Sequence, residues 1–135
     1  MNSKPYLALE DARKIVAAAR VHAHARKWAV SICVCDDGGH LLVLERSDGA
    51  APFTARMAIA KGTAAALGRR ESKAFEDVIN QGRTAFVSAP LEGMLEGGVP
   101  ILADGHVVGA VGVSGVKSSE DAEIARAGIA ALAAA

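Results

Sequence analysis

The side chains of this chain that could do chemistry are few, and they fall in three short stretches. In Arg46-Ser47-Asp48-Gly49-Ala50 an arginine stands where a strand should end and an aspartate where a loop should begin. A guanidinium at that point could hold a carboxylate through two parallel hydrogen bonds. The plain structural alternative is an Arg46–Asp48 pair or an Asx-turn that only shapes the loop. Lys61 lies within an alanine-rich helical stretch, where its ammonium could reach an anionic ligand or snorkel to water. Gly112-Val113-Ser114-Gly115 sits where a strand gives way to a loop, and backbone N–H groups there could bind an anion. A turn is the alternative. Arg46, Gly49, Lys61 and Gly112 are therefore the candidate ligand contacts. Asp48 and Ser114 are the candidates nearest to chemistry, with Glu71 and Asp121 as further possible bases among carboxylates otherwise expected at the surface.

Histidine offers little more. His22 and His24 lie two apart on the first helix, so they point to different faces and cannot chelate one metal together. His22 is three residues beyond Ala19 on the apolar face and is the better metal-ligand candidate of the two. A boundary histidine with a hydrogen-bond partner is the alternative. His40 and His106 flank turns. Cys33 and Cys35 share one face of a strand, too close in sequence for an ordinary disulfide and without the four ligands of a structural zinc site. They read as small buried hydrophobes.

These residues need elements to position them. Ala12, Ile15, Val16, Ala19 and Ala23 recur at helical spacing within a helix over Glu10 to Lys27. Val30, Ile32 and Val34 alternate with Ser31, Cys33 and Cys35 in a strand ending at Cys35. Asp36-Asp37-Gly38-Gly39 turns the chain into a second strand, Leu41 to Arg46. A helix follows over Pro52 to Leu67, with Gly68 as its expected C-cap. A shorter helix spans Ser72 to Gln81, and Ser88 to Glu96 has no clear period. Val99 to Ala103 and His106 to Val113 form a hairpin closed by Asp104-Gly105, both suited to positive φ. Gly109 and Gly112 interrupt the return strand and suggest a close backbone approach. Ser118-Ser119-Glu120-Asp121 opens a last helix, with a serine cap and acids in its first turn. The order of helix, hairpin, helices, hairpin and helix predicts a single α+β domain over 1–135 with a largely antiparallel sheet.

Composition narrows the function classes. Fifteen basic and fifteen acidic residues balance, and aromatics are only 4% of the chain, so neither an electrostatic footprint for nucleic acid nor a base-stacking surface is expected. No apolar run approaches the ~20 residues that span a bilayer, and the N-terminus lacks a secretory pattern. A cytoplasmic protein with no membrane partner is expected. The glycines do not follow a dinucleotide fingerprint or a phosphate loop, nor do they frame a nucleophile elbow. Alanine-rich helices bury little area each, so burial between subunits is expected to add stability, and a homo-oligomer is predicted.

Three blocks in order, DDGGHLLVLERSDGA (36–50), ARMAIAKGTAAALGR (55–69) and GGVPILADGHVVGAVGVSG with EDAEIARAG (97–115, 120–128), resemble the GlcG/HbpS-like, haem-degrading domain family. That family includes the C-terminal domain of some corrinoid adenosyltransferases. The resemblance runs from Leu9 to Leu132. It implies a profilin-like domain, a central antiparallel sheet flanked by helices, assembled into dimers or rings. Arg46 to Ala50 match the family's R-x-D-G-A block. Lys61 matches its A-x-x-K-A block, with Gly62 in place of the usual alanine. His40 falls in its D-x-x-G-H-L block. The resemblance implies haem as a possible cofactor, with His22 as its candidate axial ligand, and a small-molecule ligand. Two readings stay open: a haem or tetrapyrrole binder with possible haem-degrading activity, and a small enzyme acting on a carboxylated metabolite with Arg46 and Lys61 as anion clamps.

Overall fold

Two hairpins build the sheet of this computed structural model, which describes residues 1–133. The elements are α1 (Leu9–Ala25), β1 (Ser31–Asp36), β2 (Leu41–Arg46), α2 (Phe53–Gly68), α3 (Lys73–Asn80), β3 (Gly98–Ala103), β4 (His106–Ser114) and α4 (Ser118–Ala133), with a 3-10 turn at Thr84–Ser88. The strands lie in the order β2-β1-β4-β3, and every pair is antiparallel. The domain is α+β, with a central antiparallel sheet covered on both faces by helices.

Local chemistry explains the turns. The Asp36 carboxylate accepts the backbone N–H of Gly38 and of His40, both at 2.9 Å, and so shapes the first hairpin loop. Burial raises the Asp36 carboxyl, but these bonds and the His40 ring outweigh it and hold the group below its ordinary range. In the second hairpin Asp104 and Gly105 take φ of 50° and 77°, and Ala103 faces His106 across the turn. Those left-handed angles make a turn whose twist matches its strands.

The pleat sends alternate residues to two different layers. Ile32 and Val34 of β1, Ile101 of β3, and Val111 and Val113 of β4 meet Ala12, Ile15, Val16 and Ala19 of α1 and Ile124 of α4. The opposite face is made of small residues: Ser31, Cys33 and Cys35 of β1, Gly98 of β3, and Ala110 and Gly112 of β4. α2 lies directly on them through Ala58, Gly62 and Ala65. A Cβ at Gly112 would overlap the Ala58 carbonyl oxygen, and one at Gly62 would stand 3.3 Å from the Gly112 nitrogen. The close approach expected at Gly112 is therefore a helix against a strand.

Two expected details differ, and the stretch without a clear period is irregular as read. Gly68 is the last residue of α2, and Arg69 takes the left-handed capping conformation at φ 55°. Gly68 is needed for space, since a Cβ there would overlap the Phe75 ring. Ser118 is the first helical residue of α4. The preceding Lys117 donates its N–H to the Glu120 carboxylate at 3.3 Å, half of a capping box. The stretch without a clear period begins with the end of the 3-10 turn and continues as irregular chain to Gly97.

The seat of α2 gives a direct test. Gly112→Ala forces backbone apart along the helix, and overpacking of this kind costs about 1–3 kcal/mol. Thermal unfolding should show a melting temperature several degrees lower. A midpoint within a degree of the parent chain would mean that α2 does not lie this close to β4.

Candidate functional site

The shallow seat of α2 decides the fate of Lys61. Lys61 is on the sheet-facing side of the helix and is only 4% exposed. Its side chain runs past the backbone of Gly97 and Gly98 toward the end of β4. A Cβ at Gly97 would stand 2.8 Å from Cδ and 2.9 Å from Nζ, and one at Gly98 would overlap the Lys61 carbonyl. Residues 97 and 98 are bare where the lysine needs room.

At the end of this path Nζ donates to the Val113 carbonyl and to Oδ2 of Asp121, each at 3.1 Å. Asp121 is 2% exposed. Its other oxygen accepts the Val116 N–H at 3.1 Å. The carboxylate lies in the first turn of α4, where the helix dipole favours negative charge. Burial pushes the Asp121 carboxyl above its ordinary range, and the nearby Lys61 ammonium, the Val116 N–H and the Lys61 hydrogen bond only partly offset it. This buried pair joins α2 on one face of the sheet to α4 on the other, around the end of β4.

Over the pair opens a cleft of about 600 Å³, which Lys61 and Asp121 both line. Trp28, Phe53, Met57 and Leu95 give it apolar walls; Thr54 and Ser114 add hydroxyls; Glu76 and Glu96 add carboxylates and Lys27 a cation. Phe53 is exposed at the rim. Ser31 and Thr54 join hydroxyls at 2.9 Å, tying the start of α2 to β1 beside the cleft.

Of the candidates from sequence, Gly49, Lys61 and Ser114 line this cleft together. Arg46 does not: it is exposed at the end of β2, opposite Ser31. Asp48 lines a small neighbouring depression of about 210 Å³ with His24, Lys27 and Trp28. Gly112 lies beneath α2, away from the cleft lining. His22 is outside the cleft too. Its Nε2 is 2.7 Å from Glu123 on α4, and this hydrogen bond, helped by the neighbouring Arg26 and only partly opposed by desolvation, leaves the Glu123 carboxyl below its ordinary range. Asp121 was legible only as one base among several, because its spacing gives no sign that Lys61 meets it. Burial pushes the Cys35 thiol up to about 11 and the Cys33 thiol higher still. They fill space under α2, and neither is a thiolate at neutral pH. Among the described residues no cluster of three His, Cys, Asp or Glu side chains could hold a metal ion.

The sequence matches the family described as haem-degrading protein, HbpS-like, over residues 7–130. The chain belongs to the HbpS-like family. Within it, Protein GlcG of Escherichia coli strain K12 is 53% identical over 114 residues, 84% of this chain and 85% of that protein. The crystal structure of a double mutant of Streptomyces reticuli HbpS superposes with a TM-score of 0.88 at 32% identity, covering 98% of this chain and 90% of that one. A PduOC–haem complex superposes with a TM-score of 0.84, covering 94% and 95% of the two chains, but at 23% identity it speaks for the fold alone. The expected HbpS-like fold is the one observed.

The Lys61–Asp121 pair of this HbpS-like chain predicts a pH dependence with a definite sign. Lys61→Met leaves a buried carboxylate without its cation, and breaking such a pair costs about 3–5 kcal/mol. The Asp121 carboxyl then lies still further above its unfolded value, so between the two values the native state binds the extra proton. Its contribution is intact below the unfolded value near ~4 and is lost as pH rises through the folded value. Denaturant titrations should show the variant closest to the parent chain at acidic pH and furthest from it at alkaline pH. The same deficit at every pH would show that Asp121 is not buried as a charge.

Proposed function

We propose that this HbpS-like chain binds a small molecule of the haem or tetrapyrrole class in the cleft over Lys61 and Asp121. The family description and the HbpS likeness support the ligand class. The observation that carries the place is the cleft itself, whose volume lies within the ~300–1,000 Å³ of small-molecule sites and whose walls are largely apolar. Trp28, Phe53 and Leu95 would meet the face of a macrocycle. The donor set is less generous. Among the described residues Met57 is the one side chain of axial-ligand type in the lining, and no histidine is there. The cleft of one chain fits a macrocycle held by apolar contact better than a histidine-ligated haem.

A second reading, a small carboxylated metabolite, is favoured by Lys61. Its ammonium has three donors, and Val113 and Asp121 take two. The third can meet a carboxylate or carbonyl oxygen. Asp48 lines the neighbouring depression, while Gly49 and Ser114 line the cleft.

Self-association belongs to the same proposal. The outward side of α2 carries exposed Phe53 and Leu67, and Ile59, Ala60 and Leu91 line a groove of about 550 Å³ together with Arg56, Thr63 and Glu92. Large apolar side chains exposed together on one helix face favour a covering partner. A second copy on this stripe would also shelter Phe53 at the rim of the cleft. Among the described residues no helix is long and apolar enough to cross a membrane; a cytoplasmic setting is part of the proposal.

Haem titration of the purified chain, read by visible absorbance with Met57→Leu and His22→Ala in parallel, tests the first reading. A saturable band of one per subunit that weakens in Met57→Leu and persists in His22→Ala is the expected result. No saturable band, together with thermal stabilisation by organic acids, would replace it by the second reading. Sedimentation at micromolar concentration should show a species larger than 13.8 kDa, shifted toward monomer by Leu67→Glu. A single monomer peak in the parent chain would end the self-association proposal.

A further inference from the structure

We infer that Lys61 is an imine-forming amine, and that the cleft takes a small aldehyde or ketone and condenses it reversibly onto Nζ. The inference rests on the cleft being the ligand site and deepens the second reading by naming the reactive group.

Position singles this lysine out. Of the six lysines in the chain, Lys4, Lys14, Lys27, Lys73 and Lys117 are exposed, and Lys61 alone is buried. It nevertheless lines a cleft. Lysines recruited for covalent chemistry are desolvated in this way, next to a group that can take their proton. Asp121 Oδ2 is that group, 3.1 Å from Nζ. The carboxyl holds a proton more readily than a free one because it is buried. The bare backbone at Gly97 leaves Nζ room to turn, whereas a side chain there would press on it from 2.9 Å. As a device to fasten α2 to α4, a buried ion pair is an expensive choice that an apolar pair of similar volume would match or better.

The chemistry balances without any outside reagent. Lys61 passes a proton to Asp121, giving a neutral amine and a carboxylic acid. Nζ attacks the carbonyl carbon: a C–N bond forms, the C=O π bond breaks, and a proton moves from nitrogen to oxygen to give the carbinolamine. Asp121 returns its proton to that hydroxyl, which leaves as water, and the protonated imine remains opposite the Asp121 carboxylate. Charge is the same before and after, and nothing is oxidised or reduced. The Val113 carbonyl holds the nitrogen in place throughout. Trp28, Met57 and Leu95 suit a substrate with an apolar body. Glu76 and Glu96 select against dianions, so a neutral or singly charged carbonyl compound fits.

The test uses the full chain with sodium cyanoborohydride and either butanal or 2-oxobutanoate, with butanoate as the carbonyl-free control. Intact mass and peptide mapping read the reduced adduct. One addition per chain is expected, at Lys61 ahead of the five exposed lysines, absent from Lys61→Met, and slowed ~100-fold or more in Asp121→Asn by loss of the proton shuttle. The map on the unaltered chain decides the matter even if a variant folds poorly. Labelling spread over the exposed lysines with Lys61 untouched would overturn the inference. If butanoate or 2-oxobutanoate raises the melting temperature while Lys61 stays unmodified, the imine fails and the ligand site stands. If neither stabilisation nor a Lys61 adduct is seen, both fail.

Discussion

The depth at which α2 seats on the sheet governs nearly everything else in this molecule. Helix and sheet normally keep apart by the length of their side chains. Here Gly62 lies against Gly112, with Cys33 beside them, and Gly98 passes under the carbonyl of Lys61. At that distance a lysine on the inner side of the helix cannot reach water over its own neighbours. It must run inward along the sheet to the end of β4, where burial obliges it to find a carboxylate and a carbonyl. Asp121 and Val113 supply them. The cleft is the space left beyond that meeting point, walled by the start of α2, the residues after β4 and the chain entering β3.

Much of this architecture was legible in the sequence. Alternation in β1 assigned Ile32 and Val34 to one layer and the cysteines to another, and Asp104-Gly105 announced its turn. The glycine at 112 was recognisable as a place of close approach. What lay across from it was not, because a glycine records only that something is near. Gly68 misled for a related reason: a glycine at a helix end can serve conformation or space, and only the Phe75 ring shows that it serves space here. The stretch from Ser88 to Glu96 carries no period because its course is set by long-range contact. The backbone at Gly93, for instance, lies directly against Ala60 of α2.

The site was legible in part. Lys61, Gly49 and Ser114 were named from sequence and share the cleft. Arg46 is the instructive contrast. It looks the stronger ligand contact because a guanidinium at a strand end is conspicuous, yet it is exposed at the end of β2 and is not in the cleft lining. The decisive partner of Lys61 is sixty residues away in the chain, and nothing in local spacing links the two. Asp121 reads in the sequence as an ordinary acid in the first turn of a helix. Its burial follows from α4 packing against α1 on the far face of the sheet, a tertiary fact.

That separation along the chain has a consequence for how the protein comes into being. The lysine is made sixty residues ahead of its carboxylate. Until the last helix has emerged and docked, the ammonium has no counter-charge, and α2 cannot settle at full depth without burying it alone. Contacts of such long range form late because the entropy of closing the intervening chain must be met first. A chain cut just before α4 has every strand, but no carboxylate to meet Lys61 at the floor of the cleft.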